Sequence, residues 1–134
     1  MLQELTVLDA KRYGVYTCRG QATLHEAARR MVDEDVSALV VVDDDGYLQG
    51  VLTHTDLLRA ASIVPAWRDQ LVETFMTRNV VTMAPEATLA DVTQRLLEHC
   101  IHRVVVVRDE EGRARPVGVL ASSDIVYHLV RDRD

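Results

Sequence analysis

The sequence predicts a mixed α/β (α+β) fold of two pseudosymmetric β-α-β-β-α units packed through their sheets. Three observations carry that expectation. The chain repeats itself: Thr23-Leu24-His25-Glu26-Ala27-Ala28 aligns with Thr88-Leu89-Ala90-Asp91-Val92-Thr93. In the same register, Val36-Ser37-Ala38-Leu39-Val40-Val41-Val42 falls on Ile101-His102-Arg103-Val104-Val105-Val106-Val107, and Gly50-Val51-Leu52-Thr53-His54-Thr55-Asp56-Leu57 on Gly118-Val119-Leu120-Ala121-Ser122-Ser123-Asp124-Ile125. Two copies of one unit ordinarily fold against each other, and the cleft between them is a natural place for a ligand. Within each copy, helical spacing gives way to β-branched runs. Finally, a three-stranded unit of roughly 60 residues leaves one sheet face bare and is marginal alone. Face-to-face pairing of two such units buries both sheets.

Each element follows from local chemistry. Leu2, Leu5 and Val7 or Leu8 predict a short amphipathic N-terminal helix. Gly14-Val15-Tyr16-Thr17 reads as a short extended run. Thr23 is a helix N-cap with Glu26 at capping-box spacing, followed by Leu24, Ala27, Ala28 and Met31 on one face. Thr88 and Asp91 repeat the device, with Asp a weaker match to the box than Glu or Gln. The run Ala38-Leu39-Val40-Val41-Val42 suits a strand covered on both faces, and Asp43-Asp44-Asp45-Gly46 ends it in a turn. The second-half counterpart, residues 108–116, is three residues longer and is expected to be a longer turn. Helices over about 55–62 and 123–132 close the repeats. The segment around Pro65 and Trp67 reads as the linker, dividing the chain into 1–66 (N-terminal helix and first repeat) and 67–134 (second repeat).

Composition narrows the function. A formal charge of −6 and a pI near 5.3 speak against nucleic-acid or anionic-membrane binding. No apolar stretch reaches the ~20 residues of a membrane span, and the N-terminus lacks a signal-peptide layout. Cys18 and Cys100 make no disulfide framework, so a cytoplasmic location with reduced thiols is expected. His99, Cys100 and His102 lack the partners of a zinc site, and the acidic turn at Asp43 lacks calcium-loop spacing; no metal is expected. The chain carries no nucleophile elbow, Walker loop or His-Glu-x-x-His motif, so it is not expected to be an enzyme and no catalytic residues are assigned.

The β-α-β-β-α order, the duplication and the endings Gly50-Val51-Leu52-Thr53-His54-Thr55-Asp56 and Gly118-Val119-Leu120-Ala121-Ser122-Ser123-Asp124 resemble the CBS-domain family, arranged as a tandem pair (a Bateman module). Met76-Thr77-Arg78-Asn79-Val80-Val81-Thr82 is similar to the opening of such a repeat. Ile101-His102-Arg103-Val104-Val105-Val106 resembles the family's Ile-His-Arg-Leu-Pro-Val run, with Val105 where proline is common. The likeness covers roughly residues 7–130, the extent of a stand-alone module.

The resemblance implies a regulatory module that binds an adenosine-containing ligand: AMP, ADP, ATP, S-adenosylmethionine or NAD. No cofactor is required. A first site is implied at Thr53 and Asp56, the carboxylate meeting ribose hydroxyls, with Val80, Val81 and Thr82 against the base and His102 and Arg103 toward phosphate. A second, weaker site is implied at Tyr16, Thr17, Ser122, Ser123 and Asp124, where Ala121 replaces the Thr53 hydroxyl. Family habit further implies a homodimer through Leu57, Leu58, Ile125, Val126 and Leu129, and a separate regulated protein. Two plainer readings stand beside these. Thr53 and Asp56 are also the residues of a capping box, and Arg103 can serve a carboxylate or solvent as well as a phosphate. A ligand-free dimerisation or interaction module is the alternative function.

Overall fold

The computed structural model describes Leu2, residues 5–10 and residues 14–131, with Leu8 described by its backbone alone. Elements run α1 (Val7–Ala10), β1 (Thr17–Arg19), α2 (Leu24–Glu34), β2 (Ala38–Val42), β3 (Leu48–Thr53) and α3 (His54–Ile63). After a 3-10 turn at Trp67–Asp69 come α4 (Val72–Phe75), β4 (Thr82–Met83), α5 (Leu89–His99), β5 (Arg103–Glu110), β6 (Arg113–Ala121) and α6 (Ser122–Arg131). Two three-stranded sheets form, β1-β2-β3 and β4-β5-β6. In each, the short first strand runs parallel to the second and the second antiparallel to the third. The opening strand lies at Thr17–Arg19, two to three residues later than the sequence suggested. The predicted end of the last helix, residue 132, falls outside the described residues.

The chain divides into two compact units, Tyr16–Val80 and Met1–Val15 with Val81–Asp134. These units cross the 66/67 boundary drawn between the repeats. In the first unit the backbone after the 3-10 turn docks on the start of α2: Leu24 donates its N–H to the Gln70 carbonyl (2.8 Å) and Val72 donates to Ala22 (2.9 Å). The half-buried Trp67 packs against that unit's core, so its segment is not a free linker. In the other unit residues 5–7 occupy the equivalent place on α5: Val7 donates to Ala87 (2.8 Å) and Leu89 to Leu5 (3.0 Å). Each lead-in thus joins the unit formed by the other repeat. The reason is the helix N-terminus, whose first N–H groups have no intrahelical acceptor; a passing carbonyl satisfies one in each unit.

The cores follow the predicted faces. In the first unit Leu24, Ala27 and Met31 of α2 meet Leu39 and Val41 of β2, Leu52, Ala60, Val72 and Met76. In the other, Leu89, Val92 and Leu96 of α5 meet Val104, Val106, Leu120 and Ile125, joined by Val7 and Ala10 of α1. Val40 and Val105, on the opposite sheet faces, are buried as well.

Two local expectations are corrected. Asp91, read as the weaker capping residue, closes a complete box: Thr88 N donates to Asp91 Oδ2 (3.2 Å) and Asp91 N to Thr88 Oγ1 (3.1 Å). Glu26 instead accepts the Thr23 hydroxyl (3.1 Å) while its N–H caps back to Thr23 (3.1 Å). The shorter carboxylate ends within reach of the cap's own N–H. Residues 108–116 are no long turn. β5 and β6 extend through the pairs Arg108↔Arg115, Asp109↔Ala114 and Glu110↔Arg113. They close on Glu111 (φ 55°) and Gly112 (φ 84°), the double positive φ of a two-residue hairpin turn. The added residues divide between the two strands and so lengthen the hairpin.

Candidate functional site

β3 ends where α3 begins, and the join is built around Asp56. Thr53 is the N-cap of α3. Its N–H and its hydroxyl both donate to Asp56 Oδ2, at 2.8 and 3.0 Å, and Asp56 N donates back to the hydroxyl at 3.4 Å. The capping role foreseen for this pair is therefore present. The other oxygen, Oδ1, meets Arg59 Nη1 at 3.4 Å and the Thr77 hydroxyl at 3.5 Å. The carboxylate is only 3% exposed, which makes hydrogen bonds to both of its oxygens obligatory.

Thr77 reaches this place because its backbone pairs with the free edge of β3, exchanging two 2.9 Å hydrogen bonds with Val51. The approach requires Gly50: a Cβ there would stand 2.7 Å from the Thr77 carbonyl oxygen and 2.9 Å from Met76 Sδ.

The matching join in the other unit lacks the threonine hydroxyl. Asp124 is buried and its Oδ2 accepts from Ala121 N at 2.8 Å, with no hydroxyl on residue 121 to add a second bond. Ser122 and Ser123 are exposed in the first turn of α6. Arg103 pairs in register with Ala121, and Ser122 N donates to the His102 carbonyl at 2.8 Å. Burial of the half-covered Arg103 side chain pushes its guanidinium pKa down from the usual value. His102 is exposed.

The sheet register and the two units place each candidate residue. His102 and Arg103, assigned by resemblance to the Asp56 site, lie beside the Asp124 end in the same unit. Beside Thr53 and Asp56 lie Ser37 and Ala38: Ala38 pairs with Thr53, and His54 N donates to Ser37 O at 3.2 Å. Tyr16, Thr17 and Val80 belong to the unit of Asp56, whereas Val81 and Thr82 belong to the unit of Asp124. Thr17 and Thr82 occupy equivalent places, each parallel to the central strand, opposite Val40 and Val105. Sequence reasoning gave no role to Arg59 or Thr77. Arg59 carried a usable signal, being one helical turn past Asp56 on α3; Thr77 is 21 residues away and carried none.

A separate groove of about 480 Å³ lies in the first unit between β1 and α2, lined by Thr17, Cys18, Arg19, Glu26 and Arg30 among others. Arg30 donates to the Thr17 carbonyl at 2.9 Å. Burial pushes the Cys18 thiol up to about 11, against the opposing charge of Arg30. Since the thiolate is the nucleophile, Cys18 is expected to resist iodoacetamide at pH 8 in the folded protein while exposed Cys100 reacts. Mass spectrometry of the folded and denatured chain checks this; equal labelling of both thiols in the folded protein contradicts it. Among the described residues no three His, Cys, Asp or Glu side chains gather where a metal ion could sit.

Two β-α-β-β-α repeats, each ending in a buried aspartate at a helix N-terminus, define a tandem-repeat module. The family model for the CBS domain matches twice, over residues 8–63 and 72–131, and the chain belongs to the CBS-domain family. Among solved structures it is similar to the CBS domain pair of protein MJ0100 in complex with 5′-methylthioadenosine and S-adenosyl-L-methionine. That likeness has 27% identity and a TM-score of 0.83, covering 97% of this chain and 98% of that one. It is also similar to an uncharacterized conserved protein from Pyrococcus horikoshii (31% identity, TM-score 0.80, 96% and 95% covered). A curated relative, homoserine O-acetyltransferase of Methanococcoides burtonii, is 32% identical over 92% of this chain and 24% of its own length. The chain spans about a quarter or less of the first curated relatives it matches.

Proposed function

We propose that the protein is a regulatory module that binds an adenosine-containing ligand and passes the resulting change of conformation to a separate protein. The observation that carries this reading is Asp56: a buried carboxylate at a helix N-terminus with Oδ2 fully committed and Oδ1 held only at 3.4 and 3.5 Å. An acceptor held so loosely suits the paired hydroxyls of a ribose, and the helix N-terminus favours an anionic group nearby. The similar CBS pair holding methylthioadenosine and S-adenosylmethionine supports the ligand class. Thr53, Asp56, Tyr16, Thr17 and Val80 are proposed ligand residues of one unit. Val81, Thr82, His102, Arg103, Ser122, Ser123 and Asp124 are those of the other. Arg103 and His102 are proposed to serve phosphate, and Asp56 to anchor the tighter site. Ligand acts by population shift, favouring the conformation it binds better, with a coupling of ~1–3 kcal/mol typical of such switches. No catalytic residue is assigned.

Thermal shift tests the reading. AMP, ADP, ATP, NAD, S-adenosylmethionine and cyclic dinucleotides are screened against the purified chain. A ligand that binds only the folded state raises the melting temperature by mass action, by ~2.7 kcal/mol of stabilisation at a hundredfold excess over Kd. A dose-dependent rise with an adenosine ligand is expected; silence at millimolar concentrations across the panel refutes it.

The second reading, an interaction module, is favoured by exposed apolar side chains. Leu58 and Ile63 of α3 are 70% and 69% exposed, and Val126 and Val130 of α6 are 55% and 65%. We propose that these faces, with Leu129, form a homodimer interface. Two of the residues first expected there do not qualify: Ile125 is buried and Leu57 is half-buried against its own core. A cytoplasmic location is also proposed; among the described residues no helix is long and apolar enough to cross a membrane.

A further inference from the structure

We infer that Arg59 selects the ligand at Asp56, giving up the Oδ1 acceptor to ribose hydroxyls and turning its guanidinium to an anionic group on the ligand's 5′ position. The inference rests on the ribose reading of Asp56 and deepens it. Oδ2 is saturated by the N–H and hydroxyl of Thr53. Among the described residues, Oδ1 has only the 3.4 Å contact to Arg59 and the 3.5 Å contact to Thr77. Charge-assisted hydrogen bonds close to about 2.7–2.9 Å when geometry allows, so Arg59 holds this oxygen weakly. Its side chain is 59% exposed while Asp56 is buried. The guanidinium can therefore swing away into solvent without disturbing the core, whereas the carboxylate stays.

Exchange at Oδ1 has different consequences for different ligands. A neutral nucleoside supplies hydroxyls to Asp56 and leaves Arg59 with nothing to bind. A nucleoside 5′-phosphate supplies both the hydroxyls and a two-oxygen anion, the geometry a planar guanidinium recognises best. Only one repeat has this device. The position matching Arg59 is Tyr127, whose ring lies 5.3 Å from the Arg131 guanidinium. A long-range field is no substitute, since the chain as a whole is acidic.

Isothermal titration of AMP and adenosine into the full chain, Arg59→Ala, Arg59→Lys and Asp56→Asn tests this. Asp56→Asn is expected to weaken both ligands by about tenfold or more, one lost charged hydrogen bond. Arg59→Ala is expected to weaken AMP by about tenfold while adenosine binds as before or more tightly. Arg59→Lys, which keeps the charge but not the fork, falls between. If Arg59→Ala changes AMP and adenosine equally, or changes neither, while Asp56→Asn still weakens both, Arg59 has no selective role and the ribose reading stands. If the parent chain binds neither ligand, or Asp56→Asn binds both like the parent, both the ribose reading and the role of Arg59 are overturned.

Discussion

Asp56→Ala is expected to lower the stability of the folded protein by about 2–3 kcal/mol. Thr53 still caps the N–H of residue 56, but its own N–H and hydroxyl lose a buried, charged acceptor, which costs about 2–3 kcal/mol. For a chain of this size that is a fall in melting temperature of about 6–12 °C. Asp124→Ala removes the buried acceptor of the Ala121 N–H and is expected to cost about 1–3 kcal/mol. Urea denaturation of the two variants measures both losses; a variant as stable as the parent contradicts the anchoring role of its carboxylate. Thr53→Ala combined with Asp56→Ala should be clearly non-additive, as both remove one hydrogen-bonded unit. In binding, Asp56→Ala is expected to remove most affinity for an adenosine ligand and Asp124→Ala little. Equal loss from both would abolish the proposed ranking of the sites.

Gly50→Ala is expected to destabilise by about 2–3 kcal/mol, the upper range for forcing atoms into a filled space. The new Cβ would meet a backbone oxygen, Thr77 O at 2.7 Å, which cannot rotate away as a side-chain end can. The strand edge must open, breaking the two Val51–Thr77 hydrogen bonds and withdrawing the Thr77 hydroxyl from Asp56. Gly14→Ala is the control, because nothing lies within 4 Å of a Cβ built there. The expected result is a lower denaturation midpoint for Gly50→Ala with an unchanged slope, and no measurable change for Gly14→Ala. A Gly50→Ala protein as stable as the parent would mean that residues 76–77 do not lie on β3.

Much of the local structure was legible because its causes are local. Thr23, Thr53 and Thr88 announce their helices through a hydroxyl at the N-cap and an acid three residues on, and all three are N-caps. The valine runs announce central strands by their lack of polar residues, and Leu39, Val40 and Val41 are buried in order. What went unread involved choices among partners. Residues 108–116 contain the same turn-forming types whether they make a loop or a longer hairpin. Only the cross-strand register, which puts Arg108 opposite Arg115, decides. That Arg103 pairs with Ala121 and the His102 carbonyl meets Ser122 N went unread for a similar reason. The repeat alignment says which residues are equivalent but not which neighbours they meet.

The sequence by itself determined the duplication, the element order, the capped helices and the two aspartates that end the repeats, because helix capping, strand patterning and turn chemistry act over a few residues. Only the tertiary structure decided that the lead-in to each repeat joins the unit of the other, that Thr77 reaches Asp56, and that Arg103 stands beside Ala121. Those outcomes depend on which distant backbone supplies a carbonyl to an unsatisfied helix N-terminus or pairs with a free strand edge. Both kinds of backbone group are chemically identical along the chain, so side-chain order alone carries no label for the partner.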